Sequence, residues 1–248
     1  MRSELTRFLR QKGGKLEQPT SLMRLTDSGL HVQPAPTLDG NALVKVVNQI
    51  KGSIGFINAA MGGDGALERF QISEHGLATI AENETAKPGR KLLIWIGPGW
   101  PMLEGVRFEN PDTINKRRYF DAIVELTNRL REARITVNSV SGATADTDYA
   151  LFYQRFLKGV ASEHEASSGN LALKVLVTQT GGRILRPGND LVEQINAVIA
   201  DANAFYSISF NPPAISNSLE YHELKIQVNK PGLTVLTNTG YYFELPGN

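Results

Sequence analysis

The chain of 248 residues contains no cysteine. Disulfide bonds, thiol nucleophiles and thiolate metal sites are therefore excluded. Long apolar runs are also missing, because no stretch approaches the roughly 18 apolar residues that a membrane-spanning helix needs. The N-terminal residues read MRSELTRFLRQKGG and lack the apolar segment of a signal peptide. The sequence predicts no disulfide, no membrane span and no signal peptide.

An excess of charge of either sign is absent as well. The 26 Lys and Arg residues nearly balance the 25 Asp and Glu residues, which leaves a net charge of +1. No overall field attracts the chain to nucleic acid or to anionic lipid. With 41% apolar and 21% charged residues the composition is that of a globular protein. Because no linker or repeat divides the chain, we expect one domain over residues 1–248.

Apolar residues at helical spacing predict helices, and short apolar or β-branched runs predict strands. Helices are predicted around residues 5–9, 43–50, 67–80, 120–130 and 190–199, with Asp39 as the N-cap of the second. Strands are predicted at residues 21–26, 30–33, 92–96, 135–140, 205–210, 222–228 and 233–237, the first two joined in a hairpin. Residues 171–177 fit either a strand or a helix.

The apolar run at residues 92–96 contains no polar alternation, which is typical of a central parallel strand buried on both faces. We therefore expect Leu93, Ile94 and Ile96 to be almost fully buried. Strands that alternate with helices predict a parallel sheet covered on both faces. The fold class predicted is α/β, a three-layer α/β/α Rossmann-like sandwich with a mostly parallel central sheet. The last three strands form its antiparallel C-terminal extension.

Four sequence strings carry a resemblance to a known family: PGRKLLIWIGPGW, TQTGGRI, AFYSISFNPP and TGYY. In this order and spacing the chain resembles the von Willebrand factor type A-like (VWA-like) domain. More narrowly, it is similar to the bacterial VWFA-related branch first catalogued in acidobacteria, over roughly residues 1–243. The resemblance implies an α/β/α sandwich that binds its partner at the C-terminal ends of the parallel strands. It also implies export to the periplasm or the extracellular space.

The adhesive members of this family hold Mg²⁺ or Mn²⁺ on that face, in a metal-ion-dependent adhesion site made of oxygen ligands. Their ligands are an Asp-x-Ser-x-Ser after the first strand, a Thr from the next loop and an Asp after the fourth strand. Here the first family strand has no counterpart, Thr37 stands in the place of the Thr, and Gly97 replaces the Asp. The resemblance thus implies a degenerate adhesion site, and we expect neither a metal nor another cofactor.

Large apolar side chains gather in the loop that follows residue 97. Apolar residues on a loop need a cover, either the body of the protein or a partner. We therefore expect a non-enzymatic protein-interaction domain of the adhesion or scaffold type, with no catalytic residue and no predicted oligomeric state. Its predicted partner-binding residues are Thr37, Asp39, Gly97, Trp100, Met102, Leu103, Phe108, Asp146 and Asp148. The alternative is a metal-dependent hydrolase or metal-binding domain that uses Thr37, Asp39, Asp146 and Asp148.

Overall fold

The structure is a computed structural model that describes residues 2–32, 35–50, 63–97, 113–140, 151–186, 190–203, 205–212 and 219–243. The helices are α1 (Arg2–Leu9), α2 (Gly40–Gln49), α3 (Gly63–Thr85), α4 (Thr113–Glu132), α5 (Leu173–Gln179) and α6 (Leu191–Asn203). The strands are β1 (Lys15–Thr20), β2 (Met23–Thr26), β3 (Gly29–Val32), β4 (Thr37–Asp39), β5 (Lys91–Ile96), β6 (Ile135–Val140), β7 (Ile184–Leu185), β8 (Glu220–Glu223) and β9 (Gly240–Phe243).

The main sheet consists of three strands in the order β5-β6-β7. β5 and β6 run parallel, and their register extends from the pair Lys91 and Ile135 to the pair Ile96 and Val140. β7 continues the parallel pairing beside Ser139. The predicted α/β class is confirmed, and the chain contains a parallel sheet as predicted.

The side chains of β5 pack against helices on both faces of the strand. Leu93 and Trp95 join an apolar cluster to which α3, α4 and α5 contribute. Leu92, Ile94 and Ile96 join a second cluster, which contains the buried face of α6. Because successive side chains of a strand point to opposite faces, this packing explains why the run contains no polar alternation.

β5 is nevertheless not the central strand that the sequence predicted. It pairs with β6 on one side, and in the described part of the chain no strand pairs with its other side. All six of its residues are only partly buried, so the expected near-complete burial of Leu93, Ile94 and Ile96 is wrong. The physical reason is that helices cover the two faces of β5 while the edge away from β6 stays open. We call this side of Lys91–Ile96 the open edge.

Two small antiparallel sheets lie in the N-terminal part of the chain. The predicted hairpin is confirmed, since β2 pairs with β3 from Met23 opposite Val32 to Thr26 opposite Gly29. β1 and β4 form the other sheet, which the sequence did not predict. The predicted N-cap of α2 is also confirmed, because an Asp39 carboxylate oxygen accepts a hydrogen bond from the Ala42 N–H at 3.1 Å.

The C-terminal part departs furthest from the prediction. β8 and β9 form an antiparallel pair, whereas residues 205–210 and 233–237 form no strand. The predicted three-stranded extension is therefore wrong in extent. Tyr206 is 96% exposed and Ile208 65% exposed, so the alternating apolar residues of this segment face solvent. Alternation of apolar and polar residues indicates that a segment could bury one face as a strand. The strand forms only where its backbone groups pair with the edge of a neighbouring strand.

Residues 171–177, for which the sequence left two alternatives, lie largely in helix α5. The chain then turns back towards β6 through two glycines, and Gly181 adopts a φ of +74°. A Cβ atom on Gly182 would overlap the carbonyl oxygen of Val137 in β6. The turn therefore passes directly against the sheet, and only glycine fits at position 182.

Candidate partner-binding cleft

A cavity of about 1720 Å³ lies along the open edge of β5. We call this cavity the cleft. Its lining includes all of β5, from Lys91 to Ile96, and residues of β1, β2 and β3. Side chains of α1, α2, α3 and α6 complete the lining. The cleft therefore separates the main parallel sheet from the small N-terminal sheets.

The lining of the cleft is largely apolar. Besides the side chains of β5, it includes Phe8 of α1 and Ile195 and Ile199 of α6. Met23 and Leu25 of β2 also line the cleft. Binding sites for small molecules usually measure roughly 300–1,000 Å³. The volume of this cleft lies above that range.

The backbone of β5 presents hydrogen-bonding groups to the cleft. The Lys91 N–H donates to the carbonyl oxygen of Arg134, the residue before β6, at 2.9 Å. Because backbone groups alternate in direction along a strand, those of Leu93 and Trp95 also point towards β6. Those of Leu92, Ile94 and Ile96 point the other way, into the cleft. Burial of a backbone N–H or C=O group without a hydrogen-bond partner costs free energy. A ligand that buries this edge must therefore supply hydrogen bonds.

Basic residues surround the end of the cleft where β5 begins. The Lys91 ammonium donates to the carbonyl oxygens of Glu84 at 2.8 Å and of Ala133 at 3.0 Å. Desolvation by burial, and then the nearby Arg134, lower the pKa of Lys91. The Arg90 guanidinium donates to the Thr136 hydroxyl oxygen at 3.0 Å. These hydrogen bonds connect the start of β5 to α3 and β6, so the two cations stabilise this end of the cleft.

Three of the nine predicted partner-binding residues lie in the described part of the chain: Thr37, Asp39 and Gly97. The Thr37 hydroxyl oxygen accepts a hydrogen bond from the Asp39 N–H at 3.0 Å, and the Asp39 carboxylate caps α2. Both side chains thus hold the start of α2. Gly97 directly follows β5, at the C-terminal end of the parallel sheet. The other six predicted residues, Trp100, Met102, Leu103, Phe108, Asp146 and Asp148, lie outside the described residues.

The described ranges contain no group of three His, Asp or Glu side chains that could hold a metal ion. The His31 ring lies 3.1 Å from the hydroxyl oxygens of both Thr26 and Ser28, in the β2–β3 hairpin. The His222 ring stacks on Tyr241, with ring centres 5.2 Å apart. Among the helices of the same described ranges, none is both long and apolar enough to cross a membrane.

The sequence does not predict the cleft, although it predicts a strand over most of the residues of β5. A run of apolar residues looks the same in a central strand and in an edge strand whose two faces are covered. The other lining residues, such as Phe8 and Ile199, belong to helices distant in sequence from β5. No local signal connects them, and only the folded chain brings them to one cavity.

Comparison with known proteins gives no relative, since no family model, no curated protein and no solved structure matches the chain. The function is therefore inferred from the geometry of the cleft.

Proposed function

We propose that the chain is a non-enzymatic protein-interaction domain that takes up a segment of its partner in the cleft along β5. The observation that carries the proposal is the coincidence of an open strand edge with an apolar cavity of about 1720 Å³. Apolar surface and backbone hydrogen-bonding groups lie side by side there. A polypeptide satisfies both, because it brings apolar side chains together with its own N–H and C=O groups.

We further propose that the architecture is the three-layer sandwich that the resemblance to VWA-like domains implies. The packing of α3, α4 and α5 against one set of β5 side chains, and of α6 against the other, supports this architecture. A partner segment that leaves the cleft beyond Ile96 reaches Gly97. It then lies at the C-terminal face of the sheet, which is the binding face that the family resemblance implies.

A metal-dependent hydrolase has less support. It would use the Thr37 hydroxyl and the Asp39 carboxylate as ligands or catalytic groups. Both groups already take part in hydrogen bonds that hold the start of α2. Binding a metal there would compete with the N-cap, which typically stabilises a helix by about 1 kcal/mol.

The test is to select peptides from a random phage-displayed library on the full chain and to measure their affinity for two matched variants. Ala200→Arg places a long cation in the cleft, since Ala200 is an exposed residue of α6 that lines it. Ala197→Arg makes the same change at an exposed position of the same helix, outside the lining. We expect selected peptides to bind Ala200→Arg about tenfold more weakly than Ala197→Arg.

Both variants should unfold within a few degrees of the native chain, because the two positions are exposed. If no peptide is selected, or if the two variants bind the peptides equally well, the cleft is not a partner-binding site and the proposal is wrong.

A further inference from the structure

We infer that a groove between α1 and α2 binds a small anion that carries a short chain of phosphate groups. Leu5 and Leu9 of α1 share an apolar cluster with Leu43 of α2, and the groove is a cavity of about 720 Å³ lined by polar residues of the two helices and of the turn after α1. We call it the α1–α2 groove. Of its described lining residues, only Gln11 also lines the cleft, so this inference goes beyond the proposed function and does not depend on it.

The charge of the α1–α2 groove is positive. Arg2, Arg7 and Arg10 line it, and its described lining contains no Asp or Glu. Arg10 is exposed, and within the described ranges of the chain it forms no ion pair. Because no acidic neighbour offsets its charge, Arg10 can bind an anion without breaking an ion pair within the protein.

The protein itself orients the other two arginines. The Arg7 guanidinium donates to the Asp190 carboxylate at 2.6 Å and lies 2.8 Å from a Glu4 carboxylate oxygen, so its charge is largely offset. The Arg2 guanidinium donates to the carbonyl oxygen of Ile50, at the end of α2, at 2.8 Å. A carbonyl oxygen orients a guanidinium group without carrying a formal charge. We therefore expect Arg2 and Arg10 to supply most of the attraction for an anion.

The remaining lining residues add neutral hydrogen-bond donors. Ser3 and Thr6 of α1 carry hydroxyl groups, and Gln11 and Asn48 carry side-chain amides. These groups donate to the oxygens of an anion and, unlike carboxylates, bring no repulsive charge. A phosphate group accepts several hydrogen bonds at once, and a guanidinium group supplies two of them in a planar fork. The set of donors therefore suits phosphate oxygens.

The spacing along α1 favours more than one phosphate group. Arg2, Thr6 and Arg10 follow one another at intervals of four residues, which places them along one side of the helix. With a rise of 1.5 Å per residue, Arg2 and Arg10 lie about 12 Å apart along the helix axis. A chain of phosphate groups can follow this row, whereas a single phosphate group contacts only one part of it. The volume of the groove is also within the range of roughly 300–1,000 Å³ that is usual for small-molecule sites.

The experiment is isothermal titration calorimetry of the full chain with inorganic triphosphate and with inorganic phosphate, at an ionic strength of about 0.15 M. Arg10→Gln removes a cation from the groove, and Arg10→Lys keeps the charge but loses the planar fork. Arg117→Gln is the matched control, because Arg117 is an exposed arginine of α4 outside the lining. A parallel titration with ATP identifies the source of the phosphate chain, since tighter binding than that of triphosphate indicates a nucleotide and equal binding indicates the free chain.

We expect triphosphate to bind the native chain at a saturable site, and phosphate to bind at least about tenfold more weakly. Arg10→Gln should weaken the binding of triphosphate at least about fivefold, Arg10→Lys should lie between this variant and the native chain, and Arg117→Gln should bind like the native chain. All three variants should unfold within a few degrees of the native chain, because both positions are exposed.

Three results overturn the inference: no saturable binding of triphosphate, equal affinities of Arg10→Gln and Arg117→Gln, or binding of phosphate as tight as that of triphosphate. The second result would show that triphosphate responds to the overall charge of the chain rather than to the α1–α2 groove. None of these results bears on the cleft, for which the phage selection remains the test.

Discussion

The hydrogen bond of 2.9 Å from the Lys91 N–H to the Arg134 carbonyl oxygen determines which residues of β5 face the cleft. It lies where β5 and β6 begin their pairing, and the alternation of backbone groups extends from it along the strand. A shift of one residue would turn Leu93 and Trp95 to the open edge instead of Leu92, Ile94 and Ile96. The same shift would exchange the side chains that face α3 with those that face α6.

Proline substitutions in β5 test which of its backbone N–H groups point towards β6 and which point into the cleft. Leu93→Pro removes an N–H that points towards β6, so we expect loss of cooperative unfolding or of soluble expression. Ile94→Pro removes an N–H that points into the cleft, a position at which an edge strand tolerates proline. We expect Ile94→Pro to stay folded, with a lower Tm than the native chain. The control is Ile94→Val, which keeps the N–H. Equal Tm values for the two proline variants would contradict this assignment of the N–H directions in β5.

The N-cap of α2 gives a prediction about stability. Asp39→Ala removes the carboxylate that accepts the Ala42 N–H, so we expect the free energy of unfolding to fall by about 1 kcal/mol. Asp39→Asn retains an acceptor oxygen and should stay within a few tenths of a kcal/mol of the native chain, roughly the spread among good N-cap residues. Urea denaturation measures both variants. A native-like Asp39→Ala would show that the cap contributes nothing.

The turn after α5 gives a steric prediction. Gly182→Ala places a Cβ atom on the Val137 carbonyl oxygen, so β6 or the turn must move. We expect a loss of about 2–4 kcal/mol, in the upper range for single substitutions. Gly232→Ala is the control, because Gly232 has a φ of +80° and open space around it. It should cost only about 1 kcal/mol, the conformational penalty of a left-handed residue. A lower Tm for Gly232→Ala than for Gly182→Ala would contradict the close approach of position 182 to the Val137 carbonyl oxygen.

The buried Tyr242 ring makes stability depend on pH in the alkaline range. Its hydroxyl group donates to the Val160 carbonyl oxygen at 2.8 Å, and Phe120 and Tyr221 pack around the ring. Burial, and then the neighbouring Tyr221, raise the pKa of Tyr242 above its ordinary value of 10.0. The stabilisation is fully present below that value and is lost as the pH rises above it, because only the unfolded chain then releases the proton.

We therefore expect the free energy of unfolding of the native chain to decline above pH 10, by up to about 1.4 kcal/mol per pH unit for this group. Tyr242→Phe should lose about 1 kcal/mol at pH 7, the net value of a typical hydrogen bond, and should decline less steeply above pH 10. Denaturation curves from pH 8 to 11 measure both effects. Equal slopes for the two chains would show that Tyr242 is not the titrating group.

Glu74 of α3 gives a prediction near neutral pH, where its carboxyl group destabilises the fold. Burial, and then the nearby Glu125, raise the pKa of Glu74 above its ordinary value of 4.5. The folded state therefore favours the neutral acid, and stability is lost as the pH rises through the raised pKa. We expect Glu74→Gln to raise Tm at pH 7 and to have little effect at pH 4. Glu82→Gln changes an exposed carboxylate on the same helix and should leave Tm unchanged at both pH values.

The features that the sequence predicted correctly depend on neighbours along the chain. The Asp39 cap involves residues three positions apart, and the hairpin of β2 and β3 turns at Asp27 and Ser28. The pairing of β1 with β4 connects Lys15 to Asp39, and no short pattern encodes it. The open edge was missed for the same reason, because the apolar run specifies that helices cover β5 but not how many strands flank it. Thr37 was predicted at the site from the family resemblance, and in the folded chain its hydroxyl group holds the backbone of Asp39.

The position of the open edge inside a cleft also determines which molecules have access to it. Open strand edges usually invite the edges of other sheets, and this contact leads to aggregation. A sheet edge from a second copy arrives with its own neighbouring strands and helices attached. Residues of β1, β2, β3 and α6 line the same cavity as β5, so such a broad object would meet them before it reached the edge. In the proposed function, the cleft would therefore limit pairing between two copies through this edge and would leave the edge open to a single partner segment.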